Sequence, residues 1–411
     1  MATAGSPSEE REISLGPGTA KIPERLLIAH ARGRVLFISG AGSSRPSRLP
    51  DFRGLVLDAY AHLDAPAYRV LKKIPVGVSA TFKVPTAGLS HKQRAEIARF
   101  VNGEYDVVLG MLERRMDGAD GATLQVRAKL AEVLRKVKAA SGKYVAPRPA
   151  AIHKALMRLA DRGAAVTIAT TNFDHLLEKA ADKSKRVFTY SLGAIPRPGL
   201  RADFAGILHI HGVLSQDERE TSDFIVTDRD FGEFYLRRRV VPDFIYDAAR
   251  LFNLVLVGYS ANDAPMRYLL NAVAADGSRF QDLKERFAFV AVPPGGDPVR
   301  LEDWRGRGIT PIPYDSSTDH AALSTTLVQW AKLSAVNGDQ TAIEKVFRGT
   351  VRQARDSVSE SERDLVDHLF RRSAPHDRIR LSKVASDVGA DSAWLDTFTE
   401  IERESEVEAS R

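Results

Sequence analysis

The sequence predicts an α/β fold: a doubly wound parallel sheet with a helical insertion and a helical C-terminal region. Three observations predict it. Short apolar runs, rich in β-branched residues, end at a glycine or a polar turn at 35–39, 165–170, 207–210 and 253–257, as buried strands of a parallel sheet do. Between residues 66 and 148 this alternation gives way to apolar residues spaced three and four apart. Beyond residue 336 the chain is helical in pattern, charge-dense and poor in glycine.

In chain order, residues 1–22 are small and polar with glycine and proline, and read as a flexible arm. Pro23 opens a short helix leading into strand 35–39, and the chain turns at Gly40. A helix follows Gly54. The insertion then carries helical spacing over 93–116, through Ile97, Phe100 and Val101. It continues over 122–140, through Leu124, Leu130, Val133, Leu134 and Val137. Asp106 and the basic run from Lys129 to Lys138 read as solvated helix faces. Helix 149–162 closes at Gly163, strand 165–170 follows, and a helix over 174–181 comes at once. Asn172 and Asp174 therefore sit on a strand-to-helix connection, the carboxyl edge where open α/β sheets bind ligands.

Strand 207–210 leads to His211-Gly212, and His209 shares a face with His211 unless the strand has already ended. Residues 224–227 read as a strand, and 228–252 as a helical pair interrupted at Pro242; Arg237, Arg238 and Arg239 read as a solvated helix end. Strand 253–257 ends at Gly258-Tyr259-Ser260, and Asn262 or Asp263 caps the next helix. Strands 287–292 and 309–314 and a helix over 319–333 complete the sheet. In the last region Leu365, Leu369, Ile379, Leu381 and Val384 could form a small core, thin for an independent unit. The expected division is an arm at 1–22, a sheet domain at 23–335 with the insertion at 66–148, and a helical region at 336–411 for assembly or partner contact.

Composition narrows the function. A chain of 411 residues, 44% hydrophobic, can bury a substantial core. It has no cysteine, which excludes disulfides, thiol catalysis and cysteine-ligated zinc. A net charge of +6, from 59 basic and 53 acidic residues, is modest for nucleic-acid binding at this length. No apolar run approaches the roughly 20 residues that cross a bilayer. The first residues lack the apolar core of an export signal, so a cytoplasmic location and no membrane partner are expected.

The stretch 34–54 carries the chemistry. Gly40-Ala41-Gly42 after a strand lets backbone N–H groups approach a pyrophosphate, with Ser43 and Ser44 adding hydroxyls. Arg45 stands where a GxGxxG fingerprint needs glycine and no GK[ST] follows, so the dehydrogenase and P-loop patterns fit poorly. Instead Pro50-Asp51-Phe52-Arg53-Gly54 brings an acid, an aromatic face and a guanidinium close to the loop. Three further motifs follow: Thr171-Asn172-Phe173-Asp174, His211-Gly212 and Gly258-Tyr259-Ser260.

The glycine loop followed by the PDFRG turn, with these later motifs, resembles the Sir2 (sirtuin-like) family over roughly residues 30–270. The resemblance implies a Rossmann-like domain that uses NAD+. It assigns Gly40, Ala41, Gly42, Ser44, Asp51, Phe52, Arg53, Thr171, Gly258 and Ser260 to binding. It gives Asp174 to the carboxamide, Asn172 to ribose and water, and His211 to general-base work near its ordinary pKa. Family members that deacylate proteins carry four zinc-bound cysteines, which this chain lacks, so no zinc is expected and water becomes the nucleophile. The resemblance then implies NAD+ hydrolysis to ADP-ribose and nicotinamide, as in the zinc-free bacterial branch that depletes NAD+ in anti-phage defence. A homo-oligomer and a separate HerA-type ATPase partner are expected, with nucleic acid reached only through such a complex. The alternatives are a noncatalytic NAD+ or ADP-ribose sensing module and a DNA-processing subunit; Asp228 and Asp230 read as a helix cap rather than a nuclease pair.

Overall fold

The structure, a computed structural model, describes residues 11–78, 82–118, 124–163, 165–198, 204–217, 223–259 and 283–409. The expected cap at Asn262 or Asp263 and its helix lie outside them, as does Ser260. Seven strands form one sheet in the order Thr310–Asp315, Arg286–Val292, Asn253–Val257, Val35–Ser39, Thr167–Thr170, Gly206–His209, Thr189–Ser191. Each pairing with a described register is parallel. The chain lays down Val35–Ser39 first, adds three strands on one side and then three on the other, which is the doubly wound topology. Strand Thr189–Ser191 is an addition to the expected set; around it apolar residues alternate with polar ones, at Phe188, Tyr190 and Leu192, instead of forming a continuous run.

The chain divides into two compact units. One comprises Leu36–Arg286 with Arg307–Ile309, and the other Met1–Val35, Phe287–Gly306 and Thr310–Arg411. In the first, the insertion is a helical cluster whose core includes Tyr60, Ile97, Phe100, Leu109 and Leu130. The expected helix over 93–116 is two helices, His91–Val101 and Tyr105–Met116. They break at Gly103, whose φ of 76° is left-handed and favours glycine. Beneath them Arg115 bridges two buried carboxylates, Glu96 at 2.7 Å and Asp64 at 2.6 Å, while Tyr60 donates to Glu96 at 2.9 Å. This network satisfies charges that would otherwise be costly to bury.

Two local expectations fail in this unit. Residues 224–227 are not a strand; Phe224 makes one antiparallel bridge to Gly212. The helical pair does not break at Pro242, which falls in the first turn of helix Val240–Leu251, where a missing N–H is tolerated. The break comes before it, at Arg239 with φ 56°, after a π-helical turn Gly232–Arg237.

In the second unit Glu12–Ser14 pairs antiparallel with Lys21–Pro23, so described residues 11–22 carry a hairpin where a flexible arm is expected. The C-terminal helices hold a genuine core. Phe347, Phe370, Trp394 and Phe398 are each at most 2% exposed, with ring centroids 4.5 Å apart for Phe370 and Phe398. Leu369, Leu381 and Val384 are buried as expected, but Ile379 is 69% exposed. Four aromatic rings join aliphatic residues such as Ile343, Val351, Val366 and Ile401 in this core, so the aliphatic residues of 365–384 alone underestimate it.

Candidate active site at the carboxyl edge

The glycine loop is built by mutual close approach of two strand ends. Gly40 N–H donates to Val257 O at 2.9 Å and Gly42 N–H to Gly258 O at 2.7 Å. A Cβ on Gly42 would stand 2.8 Å from Gly258 O, and one on Gly258 would stand 2.4 Å from Ser43 N. Gly258 also holds a left-handed φ of 60°. The glycines are thus required by backbone packing inside the protein. Ser43 N–H and Ser44 N–H close a 3-10 turn onto Gly40 O and Ala41 O, so these donors are engaged within the loop rather than turned outward as an open cradle.

Asn172 ties this loop to the next strand. Its Nδ2 reaches Gly40 O at 3.1 Å, Ser43 Oγ at 3.2 Å and Ser44 Oγ at 3.0 Å. Its backbone N–H donates to Thr170 Oγ1 at 3.0 Å, and Thr170 Oγ1 donates to Ser39 O at 3.0 Å. Thr171 contributes through its backbone N–H, to Ser39 O at 3.0 Å. Asp174 is buried; Oδ2 accepts from Ser44 Oγ at 2.8 Å and Oδ1 from Leu176 N–H at 3.0 Å. The structure therefore joins Gly40, Gly42, Ser44, Asn172, Asp174 and Gly258 in one linked group, with Ala41 partly exposed on the same turn.

The PDFRG turn is placed differently. Asp51 caps helix Phe52–Leu63 by accepting Gly54 N–H at 2.8 Å. Phe52 packs edge-on against Tyr105 with centroids 6.1 Å apart. Arg53 donates to Ile74 O, and its guanidinium lies 5.1 Å from the Phe100 ring. Capping and packing of the insertion account for these contacts.

The two histidines part company because the strand ends at His209. His209 is fully buried. Its Nδ1 faces Asn172 O at 2.8 Å and its Nε2 faces Glu178 Oε1 at 2.8 Å. Both ring nitrogens thus face an oxygen, which fixes the ring between the Asn172 carbonyl and the Glu178 carboxylate. Burial opposes ionisation of Glu178, yet His175 and His209 outweigh it and hold its carboxyl well below the usual range. His175 Nδ1 stands 3.6 Å from the same oxygen, an ion-pair distance rather than a hydrogen bond.

His211 lies past the strand, its Nε2 2.6 Å from Tyr235 Oη and its ring edge-on to Phe231. Burial pushes its pKa down to about 3, correcting the expectation of a base near its ordinary value. Among the described residues, no hydrogen bond joins His211 to Asn172, Asp174 or the glycine loop.

Four residues near these groups carry no sequence motif. Glu178, His175 and Tyr235 read as ordinary helix residues. His153, on helix Ala151–Leu159, is buried with Nδ1 accepting Ala150 N–H at 3.1 Å and Nε2 without a partner. Burial lowers its pKa against the raising influence of Asp174, which brings it into the electrostatic surroundings of that carboxylate. A histidine on the apolar face of an amphipathic helix is the one signal that could have found it. Among the described residues no group of three His, Cys, Asp or Glu side chains is placed to hold a metal ion. No described helix is long and apolar enough to cross a membrane.

A doubly wound sheet with a glycine loop and polar motifs at its carboxyl edge defines the class. Within it, residues 166–312 match the SIR2-like domain, which supports placing the chain with the Sir2-like family. The matched segment holds Asn172, Asp174, His211 and Gly258, while the Gly40 loop precedes it. An uncharacterized protein, y4cA of Sinorhizobium fredii (strain NBRC 101917 / NGR234), is 33% identical over 310 residues. That match takes in 73% of this chain but 22% of the relative, so the chain spans about a fifth of its length. Solved structures that align include one of Sir2 enzymes (13% identity, 76% of this chain and 96% of the other, TM-score 0.36). Another is a mutant Sir2 homologue with ADP-ribose (14%, 76% and 98%, TM-score 0.34). A third is a Sir2 homolog–NAD complex (15%, 78% and 98%, TM-score 0.33). At such scores the fold rests on the chain's own strand order.

Proposed function

We propose that this chain is an NAD+ glycohydrolase, releasing nicotinamide and ADP-ribose. The observation that carries the reading is the linked group at the carboxyl edge, where Asn172 Nδ2 contacts Ser44 at 3.0 Å and Ser44 contacts Asp174 at 2.8 Å. Motifs some 130 residues apart converge there, on the edge where such sheets bind ligands. The SIR2-like match supports use of NAD+ generally.

In the reaction the C–N bonding pair leaves with nicotinamide, water oxygen bonds the ribose anomeric carbon, and the water proton is taken up by a base. Asn172 orients ribose and water, Asp174 accepts from the carboxamide after exchanging its bond to Ser44, and Phe52 shields the leaving ring. His211 is the base: burial holds its pKa down to about 3, so it is neutral at pH 7 but weak, and a weak base suffices because water bonding to an oxocarbenium-like ribose becomes strongly acidic. Tyr235 Oη, 2.6 Å from its Nε2, must be displaced by substrate. The chain has no cysteine with which to build a zinc module. The wider setting belongs to the same proposal: NAD+ depletion in anti-phage defence, a homo-oligomer, a HerA-type ATPase partner, and residues 336–411 as a contact region.

Incubating the purified chain with NAD+, alone and with its neighbouring gene's product, and separating the products tests this. Equimolar nicotinamide and ADP-ribose is the expected result. Asn172→Ala should lower turnover by about a hundredfold or more, because misplacement of this order is that costly. Equal turnover in both proteins would refute the role of Asn172. The burial of His211 behind Tyr235 favours a second reading, a noncatalytic NAD+ or ADP-ribose module, which predicts binding of NAD+ without consumption in either protein.

A further inference from the structure

The C-terminal unit contains a cavity of about 1170 Å³ lined by six arginines and two carboxylates, with no lysine. Its charges are unevenly matched. Glu24 is consumed by its neighbours: it accepts from Arg371 Nη1 at 2.8 and 2.9 Å and faces His368 Nδ1 at 2.9 Å. Among the described residues Arg372 has no carboxylate partner; one nitrogen donates to the neutral Asn337 Oδ1, while its Nε and Nη2 are buried without a partner. Arg378 donates only to the carbonyls of Ser373 at 2.9 Å and Arg371 at 2.8 Å. Arg371 Nε and Gln340 Nε2 are also buried and unsatisfied. Burial without a counter-charge pushes the Arg372 pKa down to about 10.

From this concentration of guanidiniums around a ligand-sized cavity, with Arg372 Nε and Nη2 and Arg371 Nε left unsatisfied among the described residues, we propose a binding site for a small polyphosphate anion, of the class formed by inorganic triphosphate and nucleoside triphosphates. Planar guanidinium forks match phosphate oxygens two at a time. Several in one cavity suit adjacent phosphates rather than a single charge. A nucleic-acid backbone is held mainly by long, exposed cations along a groove; here four of the six guanidiniums, those of Arg25, Arg371, Arg372 and Arg378, belong to half-buried residues and lysine is missing from the lining. The volume of this open cavity is large enough to seat a nucleotide-sized ligand. A buried unpaired cation costs stability, and an anion would restore it.

The test uses the full chain and three probes: inorganic triphosphate, ATP and a short DNA duplex, each followed by calorimetry and thermal unfolding. Triphosphate or ATP should bind with micromolar affinity and raise the midpoint. Binding of both at similar strength assigns recognition to the phosphates, and binding of ATP alone adds a nucleoside subsite. Arg372→Gln should weaken binding about tenfold or more while raising the midpoint of the unliganded protein, because it removes an uncompensated charge. Arg32→Gln, an exposed position on the lining, should weaken binding severalfold without affecting folding. Asn172→Ala should bind triphosphate unchanged, which separates this site from the sheet edge. Binding of the duplex alone, binding of none, or ATP binding lost in Asn172→Ala and kept in Arg372→Gln would overturn the proposal.

Discussion

The sheet edge and the arginine cavity treat their polar groups in opposite ways. At the edge, Ser43, Ser44, Asn172 and Asp174 satisfy one another through bonds of 2.8 to 3.2 Å. In the cavity, two nitrogens of Arg372 and one of Arg371 are buried with no acceptor among the described residues. The difference teaches what each region asks of a ligand. A ligand at the edge must exchange existing hydrogen bonds for its own, so the gain per bond is small and the payoff is geometry. A ligand in the cavity meets the half-buried Arg372 guanidinium with two nitrogens unsatisfied, so its gain there is electrostatic and its absence is a standing cost.

The largest effect should come from attacking the backbone contact on which the edge rests. Gly258→Ala places a Cβ 2.4 Å from Ser43 N on a residue with φ 60°. Neither backbone can yield without moving the loop. The expected cost is about 3 kcal/mol or more in urea unfolding, with turnover lost beyond the Asn172→Ala level. A variant within about 0.5 kcal/mol of wild type would show that the loop and the strand end are not packed as described. The same substitution should leave triphosphate binding intact.

That glycine contact also marks how far the sequence is legible. The strands Val35–Ser39, Thr167–Thr170, Gly206–His209 and Asn253–Val257 are readable because a buried parallel strand is a continuous apolar run with a sharp end. The glycines are readable as special positions, but their reason is not: periodicity cannot reveal that Gly42 and Gly258 face each other. Asp51 is readable as part of a tight turn, and a cap is the ordinary use of such an acid; Arg53 on the Phe100 ring is a contact 47 residues away that no local pattern announces. The π-helical turn that brings Tyr235 to His211 is invisible for the same reason. The C-terminal core is only partly legible, because its members, from Ile343 to Ile401, are spread one or two at a time among charged residues over several helices.

A smaller effect probes the support behind the edge. Glu178 binds His209, accepts from Thr189 Oγ1 at 3.1 Å, and through His209 holds the carbonyl of Asn172. Glu178→Gln removes the charge of a partly buried carboxylate that faces His209 and His175 while keeping the shape, and should cost about 2 kcal/mol in stability. If His209 only fills space, turnover per folded molecule is unchanged. If it positions Asn172, kcat falls several-fold while triphosphate binding in the other unit does not move. Measuring both on one preparation decides between these outcomes.

The smallest effect is set by pH, and it follows from the sign of one shift. His211 has a folded-state pKa of about 3 against an ordinary value near 6.5, because burial penalises the charged ring. Between those values the unfolded chain binds a proton that the folded chain refuses, so stability is fully present above pH 6.5 and is lost as pH falls toward 3. His153 and His368 are lowered by burial as well and act in the same direction. Glu178 is also lowered, but its unfolded value is near 4.5, so it contributes to the loss only under stronger acid. Mild acid therefore isolates the histidines. Going from pH 7.5 to 5.5 should cost about 1.4 kcal/mol for each histidine whose folded-state pKa lies well below 5.5. His211→Asn, which keeps a neutral hydrogen-bonding group, should lose its share of that slope in urea titrations at the two pH values. The turnover of the wild-type protein should show no limb near pH 6.5 from His211, since a base with so low a pKa is unprotonated on both sides of that value. An unchanged slope in His211→Asn, or a kcat limb near 6.5 that the substitution removes, would mean that His211 titrates in contact with water and that Tyr235 does not close over it.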